Sequence, residues 1–237
     1  MVLSIIIPVY NEEATVDEIL DKISTIDFSD RGIKKEIIVV DDGSTDKTQE
    51  ILEKRREKKG PDEILKIHFS LLNFGKGTAI RIGLKYATGD IILIQDADLE
   101  YDPKDYHKLI APIIEGKTKV VLGSRFIKRK YYPGMTKSHF LGNMFLVLLT
   151  NLLYNAKITD EATCYKIATS DVFKSIDFKC REFEFCPEFI AKVCKKGLKI
   201  YEVPIHYEPR SKEEGKKIAW KDGWQAIKTL IKYRFVD

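Results

Sequence analysis

The chain has 237 residues, enough for one large domain or two small ones with a real core. It is 44% hydrophobic and 32% charged, as in soluble globular proteins, and its net charge of +4 is too small to argue for a nucleic-acid partner. Its four cysteines form no C-x-x-C pair and no dense disulfide pattern, so neither a zinc site nor an oxidising compartment is indicated.

"LSIIIPVY" (3–10) reads as a buried strand, with no basic n-region before it to suggest a secretory signal. An amphipathic helix is predicted over 14–26. "EIIVVDD" (36–42) is the next strand, and 46–59 the next helix, with Asp46 or Ser44 as its cap. "EILKIHFS" (63–70) precedes a helix in "GKGTAIRIGLKYATG" (75–89), closed by Gly89. "DIILIQDAD" (90–98) leads to a helix opened by Pro103, and "KVVLGSR" (119–125) is another short strand. This β-α repetition predicts a mostly parallel sheet with helices on both faces. In such sheets ligands gather at the carboxyl ends of strands. The polar residues sit there: 10–12, 41–44, 73–76, 96–100, and Ser124 with Arg125.

The pattern changes after Arg125. "RFIKRKYYPGMTK" carries Lys128, Arg129, Lys130 and Lys137 with no acid among them, and reads as a mobile basic loop. Residues 138–156 have no formal charge and could just span a bilayer. However, Asn143, Asn151 and Asn155 share one helix face, and Leu141, Phe145, Leu148 and Leu152 another. That fits a helix at an interface or against a core better than a span. No strand is assigned to "TDEATCYKIATSDVF"; a helix over 184–196 and a strand "LKIYEVPIHY" follow. The tail 210–234 has eight basic and three acidic residues, which suits a solvated face or attraction to an anionic membrane. Trp220 and Trp224, four apart, pack together or at an interface, and His139 and His206 read as structural. The whole is one domain, 1–125 forming a ligand-binding half and 126–237 an acceptor-side half.

Asp96, Asp98, Glu100 and Asp102 alternate directly after the apolar run 91–95. Four like charges this close are unfavourable unless something positive sits among them. D-x-D places two carboxylates on one side of an extended segment, which suits a hard divalent cation that also takes phosphate oxygens. A solvated turn would use the same residues. Asp41 and Asp42 likewise suit either a ligand or a cap, and Asp160 a functional or a surface acid.

"SIIIPVYNEE", "EIIVVDDGSTDKT", "NFGKGTAIRIGL", "GDIILIQDADLE" and "VVLGSRF" resemble, in order, the motifs of the family 2 glycosyltransferases. "TDEATCYK", "FEFCPEFIAKVCKKGLKIYEVPIHYEPR" and "EGKKI" are similar to the dolichyl-phosphate mannose and glucose synthase branch. The resemblance implies a single-domain GT-A type α/β fold and inverting transfer of a hexose from a nucleotide sugar, GDP-mannose or a UDP-sugar, to a polyprenyl or dolichyl phosphate. It implies that Pro8, Tyr10, Glu12, Asp41, Asp42, Ser44, Lys76, Arg81, Lys216 and Lys217 bind the nucleotide sugar. Asp96 and Asp98, with Glu100 as a third ligand, would hold Mg²⁺ or Mn²⁺. Arg125, Lys128, Arg129, Lys130, Lys137, Ser138 and Arg210 would receive the acceptor phosphate. Asp160 would act as a base or orient substrate. "CYK" departs from the usual Gly-Phe-Arg, and "RSKEEGKK" from Arg-x-x-Gly-x-Ser-Lys. The expected location is the cytoplasm, at the cytoplasmic face of a membrane. Transfer to a sugar hydroxyl, where Asp160 would be indispensable, and a non-catalytic nucleotide or membrane-binding module are the competing readings.

Overall fold

The apolar runs become the buried middle of one seven-stranded sheet. The structure, a computed structural model, describes residues 1–58, 64–210 and 220–236. Its strands are β1 (Val2–Val9), β2 (Lys34–Asp41), β3 (Ile64–Phe69), β4 (Ile91–Ile94), β5 (Val120–Ser124), β6 (Lys166–Thr169) and β7 (Ile200–Pro204). They lie in the order β3-β2-β1-β4-β6-β5-β7. β1 pairs in parallel with β2 and β4, β2 with β3, and β5 with β7. Ile5, Ile6 and Ile7 are fully buried, as in a strand covered on both faces. The helices α1 (Val16–Ser24), α2 (Thr48–Lys58), α3 (Lys76–Tyr86) and α4 (Tyr106–Ile114) link the first five strands. The order reverses between β1 and β4, which opens a crevice at their carboxyl ends.

β6 is the element that the sequence reading lacks. It runs antiparallel to β4 and β5 and joins the two parallel parts of the sheet. Four residues beginning with a lysine do not read as a buried strand. Yet Lys166 is fully buried, because its Nζ donates to the carbonyls of Glu161 and Thr163. Gly89 does not close α3, which ends at Tyr86 with an extended Ala87. A Cβ at Gly89 would lie 2.8 Å from the Val2 carbonyl oxygen, so glycine permits close backbone approach there.

In the second half, α5 (Lys137–Tyr154), α6 (Ser170–Lys174), α7 (Phe185–Lys195) and α8 (Trp220–Phe235) follow. α5 turns Asn143 and Asn151 inward and Leu141, Leu148 and Leu152 outward. Asn143 Oδ1 accepts the Ala162 N–H at 3.0 Å, and the Asn151 amide brackets both backbone groups of Ile158 at 2.8 and 2.9 Å. Asn155 takes the left-handed position that ends the helix. Leu141, Leu148 and Leu152 are 64%, 66% and 78% exposed. Leu146, with Leu149, Leu153 and Tyr154 beside it, packs α5 on Ala226, Ile227 and Leu230 of α8. Trp220 and Trp224 are also exposed. Among the described residues no helix is long and apolar enough to cross a membrane.

Candidate functional site

The crevice is a cleft of about 660 Å³, room for a nucleotide-sized ligand. Pro8, near the end of β1, and Tyr10 and Glu12 after it line one wall. Asn11 locks this turn to the next: its backbone N–H donates to Ser44 Oγ at 2.9 Å, and its Oδ1 accepts the Thr45 N–H at 2.8 Å. A left-handed Asn11 permits both bonds. Asp42 lines the cleft and accepts the N–H groups of Phe74 (3.0 Å) and Gly75 (2.7 Å), which fixes the 73–75 loop over the site. Burial raises its carboxyl despite these bonds. Asp41, buried, and Ser44, half-buried, are not among the cleft-lining residues. Asp41 Oδ2 accepts from Gln49 Nε2 (2.7 Å) and the Ser44 N–H (3.2 Å), and its Oδ1 is buried with no hydrogen-bond partner among the described residues. Asp46 caps α2 by accepting the Thr48 N–H at 2.9 Å.

Positive charge does sit among the acids after β4. Lys76 Nζ is 2.6 and 2.7 Å from the two oxygens of Asp96. Burial opposes the Lys76 charge, but Asp96 outweighs it and holds the ammonium above its ordinary value. Arg210 bridges two walls: Nη2 lies 3.1 Å from Asp98 and Nη1 3.1 Å from Glu12. Its backbone N–H donates to Glu100 Oε1 at 2.8 Å. Arg210 therefore stands with the acids rather than with the basic loop. Burial raises the Asp98 carboxyl, and Asp96 and Glu100 push it further against Arg210 and Lys76. Among the described residues no three His, Cys, Asp or Glu side chains converge as a ready-made metal cage. Asp96 and Asp98, both lining the cleft, instead fit a cation completed by water and ligand phosphate.

Arg125 and Asp160 form a closed pair deeper in the cleft. Nε and Nη2 lie 2.7 Å from the two carboxylate oxygens, and the Arg125 backbone N–H donates to Oδ2 at 3.0 Å. Both residues are buried. The guanidinium also faces the Phe126 and Tyr207 rings at 5.3 and 5.0 Å. Lys128, Arg129 and Lys130 are exposed on the loop above, with Arg129 over the Tyr132 ring at 5.2 Å. Lys137 begins α5 beside a small hollow shared with Tyr131, Phe140 and Leu141, and Ser138 faces the main cleft. Arg81 is not among the cleft-lining residues; its Nη1 donates to the Cys180 carbonyl at 3.5 Å. Lys216 and Lys217 lie outside the described residues.

Several cleft residues carried no site signal in the sequence: Asn143, Glu161, Glu182, Cys186 and Trp220. They come from the second half, where no strand end marks them. The acids at the start of α7 divide. Glu184 accepts the N–H groups of Arg181 and Glu182, and buried Glu188 those of Lys179 and Cys180, so both secure the turn.

Residues 4–177 match the family model described as Glycosyl transferase family 2. The chain is 30% identical over 216 residues to a UDP-N-acetylglucosamine–dolichyl-phosphate N-acetylglucosaminyltransferase of Methanococcus voltae, covering 85% of this chain and 83% of that protein. It is 29% identical over 219 residues to the dolichol-phosphate mannosyltransferase of Pyrococcus furiosus, covering 91% of this chain and 59% of that protein. The glucosyl-3-phosphoglycerate synthase of Mycobacterium tuberculosis, solved with Mg²⁺ and uridine diphosphate, superimposes with a TM-score of 0.76 at 20% identity, covering 100% of this chain and 80% of that one. At that identity the likeness shows the fold alone, a GT-A glycosyltransferase fold. By its match over most of its length, the chain belongs to glycosyl transferase family 2.

Proposed function

We propose that this glycosyltransferase moves a hexose from a nucleoside-diphosphate sugar to a polyprenyl phosphate of the dolichyl type, with inversion at the anomeric carbon. The observation that carries the reading is the outward apolar face of α5, Leu141, Leu148 and Leu152, on a helix whose other side lines the cleft. Such a face suits a lipid surface, and Lys128, Arg129, Lys130 and Lys137 beside it suit its anionic head groups at about 1 kcal/mol each. The names of the two relatives from Methanococcus voltae and Pyrococcus furiosus, both dolichyl-phosphate enzymes, support the same acceptor. The proposed location is the cytoplasmic face of a membrane.

Pro8, Tyr10, Glu12 and Asp42 would form the nucleotide side, with Asp41 below offering its unpartnered Oδ1. Asp96 and Asp98 would hold Mg²⁺ or Mn²⁺, which when bound offsets the charge growing on the leaving diphosphate. Lys76 adds a fixed positive charge on that side, and Glu100 braces the site through Arg210. A phosphate monoester has a second pKa of ~6, so it arrives anionic and needs no base. This agrees with Asp160, whose two oxygens are engaged by Arg125. In this reading Asp160 holds Arg125 in place, and Arg125 with Lys137 and Ser138 receives the acceptor phosphate. The test compares a short polyprenyl phosphate, the matching polyprenol and simple sugars as acceptors, across a panel of nucleotide sugars with Mg²⁺ or Mn²⁺. Transfer confined to the phosphate is expected. Equal or better transfer to the uncharged alcohol or the sugars overturns the reading.

A further inference from the structure

Two polar side chains in the cleft wall have no part in this chemistry. Glu161, between α5 and β6, lines the cleft and is 1% exposed, yet its Oε1 is buried with no hydrogen-bond partner among the described residues. Asn143, on the inner face of α5, lines the same cleft and is buried. Its bond to the Ala162 N–H fixes the amide orientation, and Nδ2 is left buried with no partner among the described residues. That same bond places the two side chains on adjoining stretches of wall. The nearby cations are committed elsewhere: Lys166 Nζ to the carbonyls of Glu161 and Thr163, and Arg125 Nε and Nη2 to Asp160. Buried polar groups are almost always hydrogen-bonded. Two exceptions on one wall of a ligand cleft point to a ligand that satisfies both.

We infer that Asn143 and Glu161 bind hydroxyl groups of the hexose being transferred and so determine which sugar the enzyme accepts. A hydroxyl both accepts and donates, so it can meet the amide N–H of one residue and the carboxyl oxygen of the other. An acceptor phosphate does not fit, because a carboxylate repels it, and a lipid chain would leave both groups unsatisfied. Burial pushes the Glu161 carboxyl up to about 7, with Asp160 adding to the rise and Lys166 and Arg125 opposing it, so both protonation states are within reach of a sugar. Hexose hydroxyls could also belong to a sugar acceptor. The assignment to the donor rests on the reading above, in which the acceptor is a lipid phosphate and the only hexose is the donor's.

The test is the affinity increment that the sugar adds to the nucleotide. Titration calorimetry would compare a nucleotide sugar with its nucleoside diphosphate on wild type, Glu161→Gln and Asn143→Asp. The first substitution keeps the side-chain shape. The second keeps the acceptor for the Ala162 N–H and removes the Nδ2 donor. Each variant should bind the nucleoside diphosphate as wild type does and lose about 10- to 100-fold in affinity for the nucleotide sugar, the usual cost of an unmade bond to a substrate hydroxyl. Monodeoxy donors should then bind variant and wild type alike where the missing hydroxyl is the one held. An unchanged increment in both variants, or an equal loss for nucleotide and nucleotide sugar, overturns the pair while leaving the glycosyl-transfer reading intact. A rise only in the KM of a saccharide acceptor also overturns it. A wild type that binds no nucleotide sugar overturns the reading beneath it instead. Unfolding melts of both apo variants show whether a loss comes from misfolding.

Discussion

Asp160→Asn separates the two acceptor chemistries. Asp160 is fully buried and accepts three bonds from Arg125, two of 2.7 Å from the side chain and one of 3.0 Å from the backbone. Asparagine keeps one acceptor oxygen and turns the other into a donor facing the guanidinium. Arg125 would then remain charged and buried with half its partner gone. Breaking a buried ion pair from one side costs about 3–5 kcal/mol. In a domain of this size each kcal/mol is worth roughly 2–4 °C, so Tm should fall by about 6–20 °C. Arg125→Met should cost a similar amount. The double variant should recover much of the loss, because neither charge is left stranded. Thermal and urea melts of the three variants measure this, with transfer to a polyprenyl phosphate assayed in parallel. If Asp160→Asn melts within about 2 °C of wild type and loses all transfer, the residue is a base and not a brace. The hydroxyl-acceptor alternative would then stand.

Asp98→Asn removes one charge from a crowded set, so Tm should hold or rise while transfer falls by at least about 100-fold. Turnover within tenfold of wild type with Mg²⁺ or Mn²⁺ would show the metal site to be wrong. Leu148→Glu with Leu152→Glu, on the exposed face of α5, should change stability by less than about 0.5 kcal/mol each but abolish co-sedimentation with anionic vesicles. Unchanged sedimentation would count against a membrane face. Burial works against the charge of Glu36, but Lys66, Ser4 and Thr88 hold its carboxyl down at about 2, below an ordinary 4.5. A depressed carboxyl stabilises fully above its unfolded pKa, and that contribution fades as pH falls from about 4.5 to about 2. Glu36→Gln should therefore cost about 1–2 kcal/mol at pH 7, allowing for the solvent access of Lys66, and the gap should close in acid. A gap that stays constant down to pH 2 refutes the assignment.

The first half was legible because its strands are long, apolar and followed by the residues that fill the cleft. Asp42, Lys76, Asp96 and Asp98 each sit directly after a strand or at the start of the following helix, so position in the chain reported position in the site. β6 was not legible, since its burial depends on where Lys166 finds carbonyls, which is a tertiary fact. The period of α5 was legible but its direction was not. Sequence pattern shows two faces; the inward one carries Asn143 and Asn151, which pair with the backbone groups of Ala162 and Ile158, a tertiary fact. Arg210 sat in a basic tail with nothing to distinguish it. Its partners Glu12 and Asp98 are 198 and 112 residues away, beyond any local signal.

The four alternating acids after β4 now separate by role. Asp102 is a turn residue: its side chain accepts the Lys104 N–H at 2.9 Å and caps the single 3-10 turn Pro103–Asp105. The other three join Glu12 at the cleft, where Lys76 pairs with Asp96, and Arg210 with Glu12 and Asp98. A solvated turn would not need Arg210 drawn in from so far along the chain, nor would it crowd a half-buried Asp98 beside two like charges. In the proposed function a bound divalent cation offsets this crowding. That is the arrangement expected where a nucleotide diphosphate, itself negative, must be held at the same place.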